Sequence, residues 1–277
     1  MEKKICLLLL TIFCCTKFYS QGPWTHGKNK AFVQTGVSGF FYNKITINNN
    51  DTNLPGTISD ITTQLYAEYG IADNLDVSLI VPFKTIQSNS KDGLHSNSLT
   101  GLSNITLGCK YNFYNKHLKI STGIYFSTNT NHSNDMAALK TGYDASTLLP
   151  YLTLGSSHGK IYYFATIGYG YMTNQYTDFV KIGGEIGYNF IKKTHVILNF
   201  DVKKAMQVER NFDSIDNKLY QTTALYIDKQ QFFAVGIKLN HEIIKNKFGI
   251  NIGAIGAIYL DNLPIAPSIN SGLYLKL

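Results

Sequence analysis

Apolar residues recur at every second position along most of this chain. In one segment Ile105, Leu107, Cys109 and Tyr111 alternate with Asn104, Thr106, Gly108 and Lys110. In the next, Leu118, Ile120, Thr122, Ile124 and Phe126 alternate with Lys119, Ser121, Gly123 and Tyr125. Leu75, Val77, Leu79, Val81 and Phe83 repeat the pattern, as do Val180, Ile182, Ile186 and Tyr188. Successive side chains on a strand point to opposite faces, so each such segment predicts a strand with one apolar and one polar or small face. Twelve strands follow: 31–43, 60–70, 75–87, 102–112, 117–127, 146–155, 161–171, 178–190, 195–203, 230–240, 248–259 and 265–277. Most are longer than the ~5–6 residues of an ordinary globular strand, and close to the ~9–11 that cross a bilayer at a tilt.

The connections alternate too. Short ones span 71–74, 113–116, 156–160, 191–194 and 241–247, and long polar ones span 44–59, 88–101, 128–145 and 204–229. Two connections on the long side, near Thr173 and near Asn262, are short. Short turns at one end and longer loops at the other are the plan of an up-and-down transmembrane β-barrel of the outer-membrane type. The expected fold is therefore all-β, a closed antiparallel barrel of about 12 strands occupying residues 31–277. An even count puts both chain ends on the periplasmic side. Twelve strands lie between the filled interior of eight and the open channel of 16, so a narrow, partly obstructed lumen is expected. Pro82 and Pro267 fall inside strands and predict bulges near the membrane interface. A secreted β-sandwich has the same alternation and is the alternative fold.

Composition favours the barrel. Of 277 residues 16% are charged, against roughly 25% in soluble domains, while Tyr (19), Phe (16) and Gly (23) are plentiful. A sandwich would put its polar face in water and carry more charge there. Residues 1–20, MEKKICLLLLTIFCCTKFYS, have a basic start, an apolar core too short to span and a small residue at Ser20, which predicts a secretory signal peptide. Its removal takes away three Lys and one Glu, so net charge falls from +7 to +5, without a basic stripe for nucleic acid. Three of the four Cys lie in that segment; Cys109 is left alone, which excludes an intramolecular disulfide and a Cys-type zinc site. Residues 21–30 form a periplasmic segment, too short for a folded plug domain but able to enter the pore.

Strand charges fall on the polar face. A three-residue turn at 71–73 would set Leu65 opposite Leu79 and Glu68 opposite Asp76, and a four-residue turn at 113–116 would pair Lys110 with Lys119. Turn arithmetic around 191–195 sets Glu185 opposite Asp201, with Lys203 two residues along. Glu68, Asp76, Lys110, Lys119, Glu185, Asp201 and Lys203 are thus a candidate charge network in the lumen. It reads either as a solute filter or as ion pairs that rigidify a narrow barrel, the second favoured by the cost of unpaired charge in a low dielectric.

No catalytic, cofactor or metal site emerges. The seven His (26, 95, 117, 132, 158, 195, 241) include no His-Glu-x-x-His pattern, and His132 with Ser133 is the one weak catalytic candidate. Trp24 reads as an interface anchor or a side chain packed under the barrel. Tyr162, Tyr163, Tyr169, Tyr171 and Tyr176 read as an aromatic girdle. Phe40 and Phe41 read as a candidate apolar entry.

The runs YGIADNLDVSLIVPF (69–83), SLTGLSNITLGCKYNF (98–113) and LKISTGIYFSTNT (118–130) resemble the outer-membrane protein family named for the meta-pathway of phenol degradation. That family is similar in turn to fatty-acid and hydrocarbon channels. The resemblance implies a barrel in the bacterial outer membrane, uptake of small and often apolar compounds, and no catalytic residues. The partners it implies are outer-membrane lipid, a small-molecule solute and, during biogenesis, the barrel-assembly machinery. A passive channel is the leading expectation. The alternatives are a non-conducting structural or adhesive barrel whose long loops bind partners and, last, a barrel enzyme.

Overall fold

The computed structural model describes residues 22–90, 96–206 and 220–277. The expected signal peptide and His95 lie outside them. The strands are β1 (Ala31–Ile47), β2 (Asn50–Ala72), β3 (Leu75–Ser90) and a two-part β4 (Ser96–Leu102 and Thr106–Asn115). Next come β5 (Leu118–Ser127), β6 (Thr147–His158), β7 (Ile161–Met172) and β8 (Phe179–Ile191). The last four are β9 (Thr194–Ala205), β10 (Gln231–Ile244), β11 (Phe248–Asp261) and a two-part β12 (Leu263–Pro264 and Ser268–Lys276). Each pairs antiparallel with the next, and β1 pairs with both β2 and β12, which closes the ring.

The two faces of the wall decide between sandwich and barrel. Leu107, Ile124, Leu152, Ile167, Ile186, Leu198, Ile237 and Ile252 are exposed on the outside. The inward face buries Ser38, Asp60, Thr62, Gln64, Glu68, Asp76, Lys84 and Lys110. A soluble sandwich inverts this arrangement, so the sandwich is excluded. An apolar belt around a closed ladder is the form in which strands satisfy every backbone group inside lipid.

Several local expectations need correction. The 44–59 stretch is no loop: β1 and β2 continue into a two-residue turn at Asn48 and Asn49, whose φ angles are 49° and 60°. Asn tolerates this left-handed region, which matches the twist of a tight hairpin. Likewise β3 runs on to Ser90 and β4 begins at Ser96, within the expected 88–101 loop.

The registers differ as well. Glu68 lies opposite Ser78 rather than Asp76, and Leu65 opposite Val81 rather than Leu79. Lys110 lies opposite Gly123 and Lys119 opposite Asn115. Glu185 lies opposite Asn199, and Asp201 opposite Gly183. The cause recurs: the ladder shifts just inside the turn, leaving Ile71, Phe113 and Phe190 as the extra residues, and a fourth hairpin does the same at Ile243. All four side chains are exposed. A bulge points neighbouring residues the same way, so Phe113 and Tyr114, Phe190 and Ile191, and Ile243 and Ile244 all face outward at the turn end, where interfacial side chains belong.

Pro82 pairs regularly with Gln64; the irregularity is across the seam, where Ser103–Ile105 of β4 pass Val81 and Pro82, and it lies mid-wall rather than at the interface. Pro carries no N–H, and the break in β4 falls beside it. Pro267 sits in the 265–267 interruption of β12 near the long-loop end.

Candidate functional site

The lumen is built in two halves. At the short-turn end, the segment preceding β1 turns into the barrel. The Pro23 carbonyl accepts hydrogen bonds from Asn112 Nδ2 (2.8 Å) and Ser121 Oγ (2.6 Å). Trp24 meets Tyr162 and Phe164 edge-on, at centroid distances of 6.0 and 6.2 Å. His26 Nε2 lies 2.7 Å from Glu68 Oε2, and its backbone N–H donates to the Asp76 carboxylate. Thr25 Oγ1 and the Lys28 N–H bond to Asp73 in the β2–β3 turn. At Gly70 a Cβ would collide with the Gly27 carbonyl, so the strap lies flush against β2 because that position is Gly. The segment thus crosses from β2 to β7 and fills that side of the lumen.

Beneath it Lys110 Nζ stands 3.3 Å from Glu68 Oε1 and 3.5 Å from Asp76 Oδ2. Asp76 and Lys110 are directly opposed on β3 and β4, and Glu68 reaches the ammonium diagonally. Two carboxylates beside one ammonium leave an excess negative charge, and the His26 ring and N–H are the donors that answer it. His26, Glu68 and Asp76 also offer one ligand atom each within 4.8 Å of one another. Lys110 already occupies the cation's place beside both carboxylates, so the set fits an ion-paired clasp better than a metal.

The remaining expected residues divide. Lys119 stands apart, bonded to Asn115 at the turn. Glu185 pairs with Lys238 at 3.1 Å and Asp201 with Lys181 at 3.1 Å. Lys203 Nζ donates to Tyr143 Oη (2.9 Å) and lies 4.5 Å from the Phe179 ring centroid. Tyr143 Oη in turn donates to Gln230 Oε1. Burial pushes the Tyr143 phenol well above its ordinary value, so it serves there as a neutral hydroxyl. Sequence reasoning missed His26, Lys238 and the buried pair of Lys84 and Asp60, 2.5 Å apart. All but His26 lie at inward positions of the alternation, and that parity was the available signal.

The long-loop half is different in kind. Here Tyr42, Ile58 and Ile86 point inward and meet Ala138, Leu139, Tyr220, Ala224 and Leu225 from the two long connections, forming an apolar cap. Below it lies a cavity of about 370 Å³. Phe40, Leu149, Met172, Phe179 and Phe232 line it, and so do the charged Lys84, Asp60, Lys181, Asp201 and Lys203. Phe40 faces this cavity, whereas Phe41 is exposed on the outer wall and is no part of an entry. Of the expected girdle, Tyr163, Tyr169 and Tyr171 face out. Tyr162 points inward to Trp24 and Tyr176 inward to Tyr143. His132 Nδ1 contacts the Leu102 carbonyl at 3.4 Å, and Ser133 sits in a two-residue ladder with Lys140.

No protein-family model and no curated protein sequence matches the chain. Solved structures do. An outer membrane channel from Pseudomonas putida F1 superposes with a TM-score of 0.71 at 11% identity, covering 95% of this chain and 99% of that one. The KdgM porin gives 0.53 at 9% identity, covering 88% and 98%. The NanC porin gives 0.53 at 10% identity, covering 89% and 100%. The chain therefore has the closed 12-stranded barrel fold found in outer-membrane channels.

Proposed function

We propose that this chain is a passive outer-membrane channel for small molecules, apolar or weakly polar, directed there by residues 1–20 and carrying no catalytic site. One observation carries the reading: a closed lipid-facing barrel holds a cavity of about 370 Å³ that is left unfilled among the described residues of its loops and amino-terminal strap. A barrel kept for structure alone gains nothing from such a void, because interiors otherwise pack densely. The likeness to solved channels supports the fold, and the runs at 69–83, 98–113 and 118–130 support the finer resemblance to the phenol-pathway family. Partners in this reading are outer-membrane lipid, the solute and the barrel-assembly machinery.

The non-conducting barrel is the second reading, favoured by the filling of both lumen ends. Liposome swelling separates the two. The mature chain and a variant lacking residues 22–28 are reconstituted, and small sugars and amino acids are tested. Passage through the trimmed variant supports the channel; exclusion of every test compound by both forms supports the structural barrel.

A further inference from the structure

We propose that the short-turn rim of the barrel is a collar for anionic phospholipid, binding phosphate headgroups of the periplasmic leaflet around its whole circumference. This goes beyond the channel reading and holds for a conducting or a non-conducting barrel alike.

Tight turns fix only part of their sequence. Gly159 (φ 59°) in the β6–β7 turn and Asn246 (φ 56°) in the β10–β11 turn take the left-handed conformation that these residues tolerate. Their neighbours need only be polar, yet the chain places Lys each time. Lys160 follows Gly159, and Lys245 and Lys247 flank Asn246. Lys192 and Lys193 make the β8–β9 turn, and Lys116 lies in the β4–β5 turn. Lys193 sits at φ 71°, where Gly or Asn would be less strained, so charge is kept there against the preference of the backbone. The β2–β3 turn carries Asp73 instead, and there the strap lays Lys28 and Lys30 alongside.

All eight of these lysines are exposed. Among the described residues the one exposed acidic side chain at that end is Asp73, which already accepts the Lys28 N–H, while Glu68, Asp76 and Glu242 are buried. The opposite rim is balanced: its exposed Lys44, Lys204 and Lys229 face the exposed Asp51, Asp135 and Asp144 among the described residues. The positive excess thus belongs to one end of the barrel.

Position selects lipid over a soluble acidic protein. The short turns follow one another around a closed ring of strands, so their charges encircle the wall. A protein partner covers a patch, whereas a leaflet meets the wall all round. Each turn also carries its charge beside side chains that face hydrocarbon. Phe113 and Tyr114 precede Lys116, Phe190 and Ile191 precede Lys192, and Ile243 and Ile244 precede Lys245, every one of these apolar residues exposed. Lys116 Nζ lies 5.9 Å from the Tyr114 ring centroid, which puts that ammonium over the outer wall. Lys193 Nζ donates to the Ile243 carbonyl of the neighbouring hairpin at 3.1 Å. An outward apolar pair with an ammonium just beyond it matches a phospholipid, acyl chain against the pair and phosphate against the Lys. A zwitterionic headgroup brings a cation of its own to this collar; phosphatidylglycerol brings none.

Spin-labelled lipid tests this. The full-length mature protein is reconstituted in phosphatidylcholine bilayers with a trace of acyl-chain-labelled phosphatidylglycerol or phosphatidylcholine. Electron spin resonance then measures how much of each is immobilised at the wall. The expected preference for phosphatidylglycerol is about fivefold at rim sites, about threefold averaged over both leaflets. It should fall towards one in 1 M salt, where the Debye length is ~3 Å. The variant Lys116→Gln, Lys160→Gln, Lys192→Gln, Lys193→Gln, Lys245→Gln and Lys247→Gln should lose most of it; Lys28 and Lys30 are kept so that the strap is untouched. Lys→Arg at the same six positions should retain it, and heat-modifiable gel migration checks that both have folded. The milder Lys192→Gln with Lys193→Gln should lose a smaller share, and Lys44→Gln, Lys204→Gln and Lys229→Gln together should lose none. A preference unchanged in both Gln variants of the short-turn rim overturns the collar. Wild-type protein with no preference overturns it too, and leaves the rim to a soluble acidic partner.

Discussion

The two halves of the lumen are walled by the same twelve strands yet closed by opposite chemistry. At the short-turn end the closure is polar and ion-paired: Glu68, Asp76 and Lys110 under a strap held by His26, Trp24 and the Pro23 carbonyl. At the long-loop end it is apolar, with Tyr42, Ile58 and Ile86 against Leu139 and Leu225. A polar clasp specifies one geometry, because each donor has a named acceptor. An apolar cap tolerates rearrangement, since its contacts carry little direction. The difference locates firmness at the short-turn end and adaptability over the cavity.

Removing the centre of the clasp should break the comparison most visibly. Lys110→Met strands two buried carboxylates, at a cost of about 3–5 kcal/mol, checked by the temperature at which gel migration shifts. Adding Glu68→Gln and Asp76→Asn to it should recover most of that loss. Those two changes alone, with Lys110 kept, also separate filter from framework: lost stability with unchanged conductance leaves Glu68 and Asp76 as framework and ends the filter reading.

The shared wall offers the next test. Leu152→Arg, on the lipid face at mid-strand, should cost about 2–4 kcal/mol, and Phe190→Arg at the turn end about 0–1, by reversible unfolding in lipid vesicles. Equal costs would mean that the belt is misplaced. Trp24→Ala should weaken docking of the strap by about 3 kcal/mol, the low end for loss of a large aromatic because Trp24 is only half-buried, and raise the open fraction in single-channel recordings without altering the temperature of gel shift. Smallest of all, Tyr143→Phe removes one hydroxyl joining Lys203 to Gln230 and should cost about 1 kcal/mol, with the cavity end perturbed and the clasp unaffected in hydrogen exchange.

What was legible in the sequence followed from periodicity. Strand number, the outward belt and the inward parity of Glu68, Asp76 and Lys110 all come from a period of two. Register did not, because one extra residue at Ile71, Phe113 or Phe190 slides a ladder while leaving the alternation on either side intact. The Glu68, Asp76 and Lys110 cluster forms in spite of the wrong cross-strand pairs, because long side chains on one face reach diagonally. The strap was legible as a length and not as a course: nothing periodic marks Pro23 or His26 for their partners. Lys119 was misplaced for the same reason as the turn, since Phe113 to Asn115 are strand.

Trp24 is the single tryptophan of the chain. Its seat against Tyr162 and Phe164 means that the whole near-ultraviolet indole emission comes from the strap. The colour and quenching of that light therefore read out whether the strap is docked, in unmodified protein and in real time, while solute is added from either side.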